Sequence, residues 1–183
     1  MLHITKEKIK MAKTLIAFFS RADENHFGGS MRYVDVGNTE IAVGKIRELL
    51  DADVFKIEMV KPYSKTYKGC IDEARADLRA KARPELVSMP ESIDPYDTVI
   101  LAYPNYWGTM PMAVFTFLEN FDFTGKTILP LCTHEGSGMG ASERDIRSVC
   151  RGVKVQNGLP IRGSEVENSK PQIEIWLRSN GLI

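Results

Sequence analysis

Short apolar runs alternate with longer amphipathic segments from one end of the chain to the other. Lys13 to Phe19 is a continuous apolar run ending in a polar loop, the pattern of a strand buried on both faces. Asp53 to Ile57, Thr98 to Tyr103 and Lys126 to Cys132 read as three further strands, and a shorter fifth is expected at Val153 to Val155 or at Leu159 to Ile161. Segments of helical period separate them. Ala42, Ile46, Leu49 and Leu50 mark the first, and the charge-rich stretch Thr66 to Ala82, closed by Pro84, is the second. Val114, Phe117, Leu118 and Phe121 mark the third, and Ile146, Val149 and Cys150 the fourth, starting at Ser142. The last helix carries a capping-box signature, Ser169 with Gln172, with Pro171 in its first turn and Gly181 past its end. Five strands and five helices in strict alternation predict a three-layer α/β sandwich, a doubly wound parallel sheet in one domain over residues 13–183. Residues 1–12 read as an extension, with Met11 as an alternative start.

Composition narrows this picture. At 183 residues, 43% hydrophobic and 26% charged, the chain suits a single well-buried core. Its 24 basic and 24 acidic residues cancel, and no basic run is interleaved with aromatics, so neither nucleic acid nor an anionic membrane is expected as a partner. Cys70, Cys132 and Cys150 are scattered and form no CxxC pair, which argues against a disulfide framework and a zinc ribbon. No apolar run approaches the ~18 residues of a membrane span, and Leu15 to Phe19 is too short for a signal-peptide core. A cytoplasmic protein is expected.

Open α/β sheets place ligands at the carboxyl ends of their strands, and three loops there carry candidate chemistry. After the first strand come Ser20 and then Gly37-Asn38-Thr39, which opens the first helix. A helix amino terminus offers unpaired amides and partial positive charge, which suits a phosphate, and hydroxyls of Ser20 and Thr39 would add donors. Equally, Asn38 or Thr39 would serve as a plain helix cap. After the third strand, Pro104-Asn105-Tyr106-Trp107-Gly108 sets two aromatics side by side. They suit a wall for a planar ring, where stacking contributes about 0.5–1.5 kcal/mol beyond burial, or a cover over the sheet edge.

After the fourth strand, Thr133-His134-Glu135-Gly136-Ser137-Gly138-Met139-Gly140 allows a ligand close to the backbone. A dinucleotide fingerprint is excluded: the spacing is GxGxG, the strand is a late one, and no acidic residue follows about 20 positions on. The GxSxG elbow of serine hydrolases is also absent. Cys132 and His134 lack further ligands, so no metal is expected. His134 and Glu135 are the ionisable groups to test as proton relays; no side chain is needed as a nucleophile. A phosphate cradle, an aromatic wall and a glycine-rich loop together describe a mononucleotide with a planar heterocycle.

Read through Phe19-Ser20-Arg21-Ala22-Asp23-Glu24-Asn25, Val36-Gly37-Asn38-Thr39-Glu40, Lys61-Pro62-Tyr63, Tyr103 to Pro111 and Cys132 to Gly138, the chain resembles the flavodoxin family, in a long-loop group, from Lys13 to Trp176. The resemblance implies a sheet of order 2-1-3-4-5 and a non-covalent FMN at its switch point. Ser20, Asn38 and Thr39, with Gly37 and Arg21 beside them, would hold the phosphate. Pro104, Asn105, Tyr106, Trp107 and Gly108 would line one side of the ring; Thr133, His134, Glu135, Gly136, Ser137 and Gly138 would line the other. One departure is the sixteen-residue insertion from Arg21 to Val36, containing Asn25, His26 and Gly28-Gly29. It either folds over the phosphate as a lid or loops away while Ser20 and Gly37 close up. The other departure is zero net charge, since dedicated electron carriers of this family are strongly acidic. The expected function is electron transfer through FMN to a redox partner protein. The alternatives are an NAD(P)H-dependent FMN reductase of quinones or similar small acceptors, and a nucleotide-binding domain without redox chemistry.

Overall fold

The computed structural model describes residues 13–183, so the expected extension lies outside the described residues. In chain order its elements are β1 (Thr14–Phe18), β2 (Asp23–Phe27), β3 (Ser30–Val34), α1 (Asn38–Arg47), β4 (Asp53–Lys56), α2 (Tyr67–Ala80), β5 (Thr98–Pro104), α3 (Met112–Glu119), β6 (Thr127–His134), α4 (Ser142–Val149), β7 (Lys154–Val155) and β8 (Leu159–Arg162), then a 3-10 turn (Gly163–Asn168) and α5 (Lys170–Ser179). The main sheet is parallel with order β4-β1-β5-β6, and both β7 and β8 pair with β6. This is the expected 2-1-3-4-5 arrangement, a flavodoxin-like α/β sandwich. β1 and the middle of β5 are buried on both faces, as their unbroken apolar runs require.

Helices cover both faces. α2, α3 and α4 pack on one side around Leu101, Tyr103, Phe117 and Ile128; α1 and α5 pack on the other around Ile16, Ile46, Leu129 and Leu177. Phe117 is fully buried and sits within 5.3–6.4 Å of the rings of Phe55, Phe121 and Phe123. No helix among the described residues is long and apolar enough to cross a membrane.

Strict alternation fails in two places. The fifth strand is split, so both expected segments are strand: β7 pairs with Thr127 and Ile128, and β8 with Leu131 to His134. The insertion is an antiparallel hairpin, β2 with β3, registered from Asp23 opposite Val34 to Phe27 opposite Ser30. Its turn is Gly28-Gly29 at φ +58° and +93°. Two consecutive left-handed residues match the twist of a two-residue hairpin turn, and glycine adopts them without a Cβ penalty.

The Ser169 capping box is not formed either. The 3-10 turn runs directly into α5, leaving Ser169 already helical (φ −80°, ψ −7°), and its hydroxyl donates back to the Val166 carbonyl at 2.7 Å. By contrast, Thr66 caps α2, its hydroxyl accepting from the Gly69 amide at 3.2 Å. Replacing Phe117 with Ala is expected to cost about 3–5 kcal/mol, read from the midpoint of urea denaturation.

Candidate functional site

The carboxyl ends of β1, β5 and β6 converge beside the amino terminus of α1. The helix begins after Gly37, and none of the first residues caps it with its own side chain. The cap comes from the end of β1: the Ser20 hydroxyl accepts from the Glu40 amide at 3.1 Å. A Cβ on Gly37 would collide with that hydroxyl and with the Arg21 carbonyl, so glycine is what allows the approach. The cap reading of Asn38 and Thr39 is therefore not realised. Thr39 is buried, its hydroxyl 2.7 Å from that of Thr133 on β6. Asn38 Oδ1 is buried with no partner among the described residues. A buried polar atom without a partner costs about 1–3 kcal/mol, unless a ligand satisfies it.

Asn38 borders a cavity of about 110 Å³ lined also by Ser20, Arg21, Asn25, His26 and Thr39, with Thr133 to Glu135 on its far side. A second cavity of about 250 Å³ adjoins it, sharing Tyr67, Asn105 and Tyr106 as walls. Cys70, Ile71 and Ala74 of α2 bound this one, opposite Trp107, Gly108 and Ser137. Together the two reach the lower end of the ~300–1,000 Å³ typical of ligand pockets.

Asn105 braces the two loops that frame the larger cavity. Its Nδ2 donates to the Gly138 carbonyl at 2.9 Å, and its Oδ1 accepts from the Gly108 amide at 2.9 Å. Gly140 extends the contact, because a side chain there would run into the Gly108 carbonyl. At Gly136 and Gly138 an added Cβ would meet nothing within 4 Å, which leaves that backbone open to a ligand.

The adjacent aromatics have separate positions. Tyr106 packs inward, its ring 6.2 Å from Phe19 and 6.0 Å from Tyr63, and its hydroxyl accepts from the Cys70 thiol at 3.5 Å. Trp107 is exposed, with its Nε1 donating to the Ile71 carbonyl at 2.8 Å and the Arg75 guanidinium 4.5 Å over its ring. It is also left-handed, at φ +55°, which is rare for a bulky residue. Trp107 thus pins its loop to α2 and closes the outer side of the larger cavity.

Two expected ligand residues are engaged elsewhere. All five N–H groups of Arg21 have acceptors: the Ser64 carbonyl twice, the Lys65 and Glu24 carbonyls, and Asn25 Oδ1. Arg21 therefore brings positive charge to the cavity edge while tying the hairpin to the segment before α2. The Glu135 carboxylate accepts from the amides of Gly28 at 3.1 Å and Ser164 at 2.7 Å. Three residues of the smaller cavity were absent from the expected ligand set, Asn25, His26 and Tyr67, as were Cys70, Ile71 and Ala74 of the larger one. The signal for the first two was the Gly28-Gly29 turn, which places them on a hairpin; Tyr67 had none.

The chemistry of the site is that of amides and hydroxyls. Burial pushes the thiols of Cys132 and Cys150 up to about 12 and raises that of Cys70, so none supplies a thiolate at neutral pH. No group of three or more potential metal ligands occurs among the described residues. The donor set, main-chain amides of the first turn of α1 with the Ser20 hydroxyl and Asn38 Nδ2 beside the cavity, fits a phosphate monoester on a helix amino terminus with a flat ring beside it.

Burial lowers the pKa of His134 below its usual 6.5, and Arg162 adds to the shift. Its neutral Nδ1 accepts from the Gly136 amide at 2.9 Å. A lowered histidine means that the unfolded chain binds the proton more tightly, so stability rises with pH through this range. The ligand-free protein is expected to lose stability as pH falls below about 6.5, and His134→Asn to flatten that slope in urea denaturation at pH 5, 6 and 7.

Solved structures share the fold. A protein of Bacteroides eggerthii assigned to the flavoproteins is 24% identical, with TM-score 0.74 over 92% of this chain and 97% of its own. A Lactobacillus acidophilus flavoprotein in complex with FMN is 17% identical, with TM-score 0.60 over 86% of this chain and 97% of its own. An NADH:FMN oxidoreductase is 16% identical, with TM-score 0.52 over 92% of this chain and 90% of its own. No curated protein sequence matches the chain. The family model for flavodoxin matches residues 31–180, from β3 through α5. The chain belongs to the flavodoxin family.

Proposed function

We propose that this chain binds FMN non-covalently and works as an electron-transfer protein. The observation that carries the reading is the first turn of α1: capped from β1 by Ser20, it borders a phosphate-sized cavity with the Asn38 side chain, whose Nδ2 can donate to phosphate oxygens. Bound there, FMN supplies the redox chemistry, accepting and passing electrons at its ring.

The protein's own residues position it. The Asn38 side-chain amide and the main-chain amides of Asn38 and Thr39 face the phosphate, and the helix dipole favours its charge by about 0.3–1 kcal/mol, up to ~2 when partly buried. Arg21 adds charge at the cavity edge without giving up its own hydrogen bonds. On the ring side, Gly136 and Gly138 let main-chain amides come within donor distance of ring oxygens and nitrogens. Tyr106 and Trp107 exclude water from the same space, which strengthens each polar contact there. The fold of the NADH:FMN oxidoreductase and the zero net charge support a second reading, in which the protein oxidises NAD(P)H directly and reduces small acceptors such as quinones.

Asn38→Ala is expected to weaken FMN by at least about 10-fold, the loss of a hydrogen bond to a charged group, and to leave riboflavin unchanged. Fluorescence titration of the apoprotein measures both, and equal losses would show that Asn38 serves only the fold. Anaerobic mixing of the FMN-loaded protein with NADH or NADPH separates the two readings. Persistence of the oxidised flavin spectrum over minutes is expected for the carrier, and rapid bleaching would establish the reductase.

A further inference from the structure

The β2–β3 hairpin is fastened to the body of the protein at three heights. Arg21 holds its base. At mid-height the Glu24 amide donates to the Lys65 carbonyl at 3.1 Å, and the Glu24 carboxylate accepts from the Tyr67 amide at 2.8 Å. At the tip, Glu135 Oε2 accepts from the Gly28 amide while Oε1 accepts from the Ser164 amide. One carboxylate thus bridges the hairpin turn to the 3-10 turn that follows β8. Both bonds are charge-assisted, the stronger class of such contacts. Close packing supports the bridge: a Cβ on Gly163 would collide with the Asn38 side chain and with the Glu135 carboxylate.

This bridge lies at the end of the site remote from Trp107. The cavity of about 110 Å³ beside it is bounded by Asn25 and His26 of the hairpin and by Glu135 itself. Its volume suits a single phosphate. A second phosphate with a nucleoside attached would need the hairpin and the 3-10 turn to part. We propose that Glu135 is a latch that closes the phosphate end of the site, selecting a flavin mononucleotide over a flavin dinucleotide and slowing its release. Glu135 is then a positioning residue, acting on the ligand through Gly28 and Ser164. The inference rests on the FMN reading above.

The test uses the full chain with Glu135→Ala and with Glu135→Gln, which keeps the side chain's size and one acceptor. In the apoprotein, hydrogen exchange of the Gly28 and Ser164 amides is expected to be slow in the parent and markedly faster in both variants. In the loaded protein, FMN release, followed by fluorescence recovery after dilution, is expected to quicken about 10-fold in Glu135→Ala. Riboflavin release stays unchanged, and the affinity for FAD relative to FMN rises by about the same factor. Unaltered amide exchange, or riboflavin release quickened as much as FMN release, would overturn the latch while leaving FMN binding intact. A parent protein that binds neither flavin would overturn the FMN reading, and the selectivity with it.

Discussion

The Ser20 hydroxyl reaches across from the end of β1 to the Glu40 amide, and Gly37 lets it come that close. This contact performs the capping that Asn38 or Thr39 would otherwise perform from within the helix. It therefore frees the two side chains for other partners: Thr39 joins Thr133, and Asn38 faces the cavity. It also fixes α1 against β1 and so sets the smaller cavity at the switch point between β1 and β5, where parallel sheets of this order open a crevice. Any residue larger than glycine at position 37 would push β1 and α1 apart, removing the cap and the cavity wall together.

The larger cavity is held by different means. Asn105 ties the loop after β5 to the loop after β6 through the Gly138 carbonyl. Trp107 ties the first of them to α2. Its left-handed backbone costs about 1–2 kcal/mol, which the Ile71 hydrogen bond and the Arg75 stack offset. The site is thus assembled from hydrogen bonds between loops, over a sheet whose buried parallel ladders keep the strand ends in register.

How much was readable from the sequence depended on burial. β1, β5 and β6 are double-sided core strands, and their apolar runs located them to within a residue or two. Gly37-Asn38-Thr39 was correctly read as the opening of the first helix, because a strand end and a helix start bracket it. The hairpin escaped because its residues are half-buried or exposed, so no hydrophobic alternation marks it. Only Gly28-Gly29 announced it, as a turn. The split fifth strand gave two short apolar signals that looked like rivals, and both are strand. Arg21 and Glu135 show a deeper limit. Their positions in the motif suggested ligand contacts, yet Arg21 also binds the Ser64 and Lys65 carbonyls and Glu135 the Gly28 and Ser164 amides, backbone groups far away in the chain that no local pattern records.

That two separate regions of the chain bind the two ends of one ligand is tested most directly by amide chemical shifts of the ligand-free protein. With FMN, the amides of Asn38 and Thr39 should shift together with those of Gly136 and Gly138. With riboflavin, which lacks the phosphate, only the second pair should shift. Identical shifts with both ligands, or no movement at Asn38 and Thr39 under saturating FMN, would contradict the assignment of the phosphate to α1.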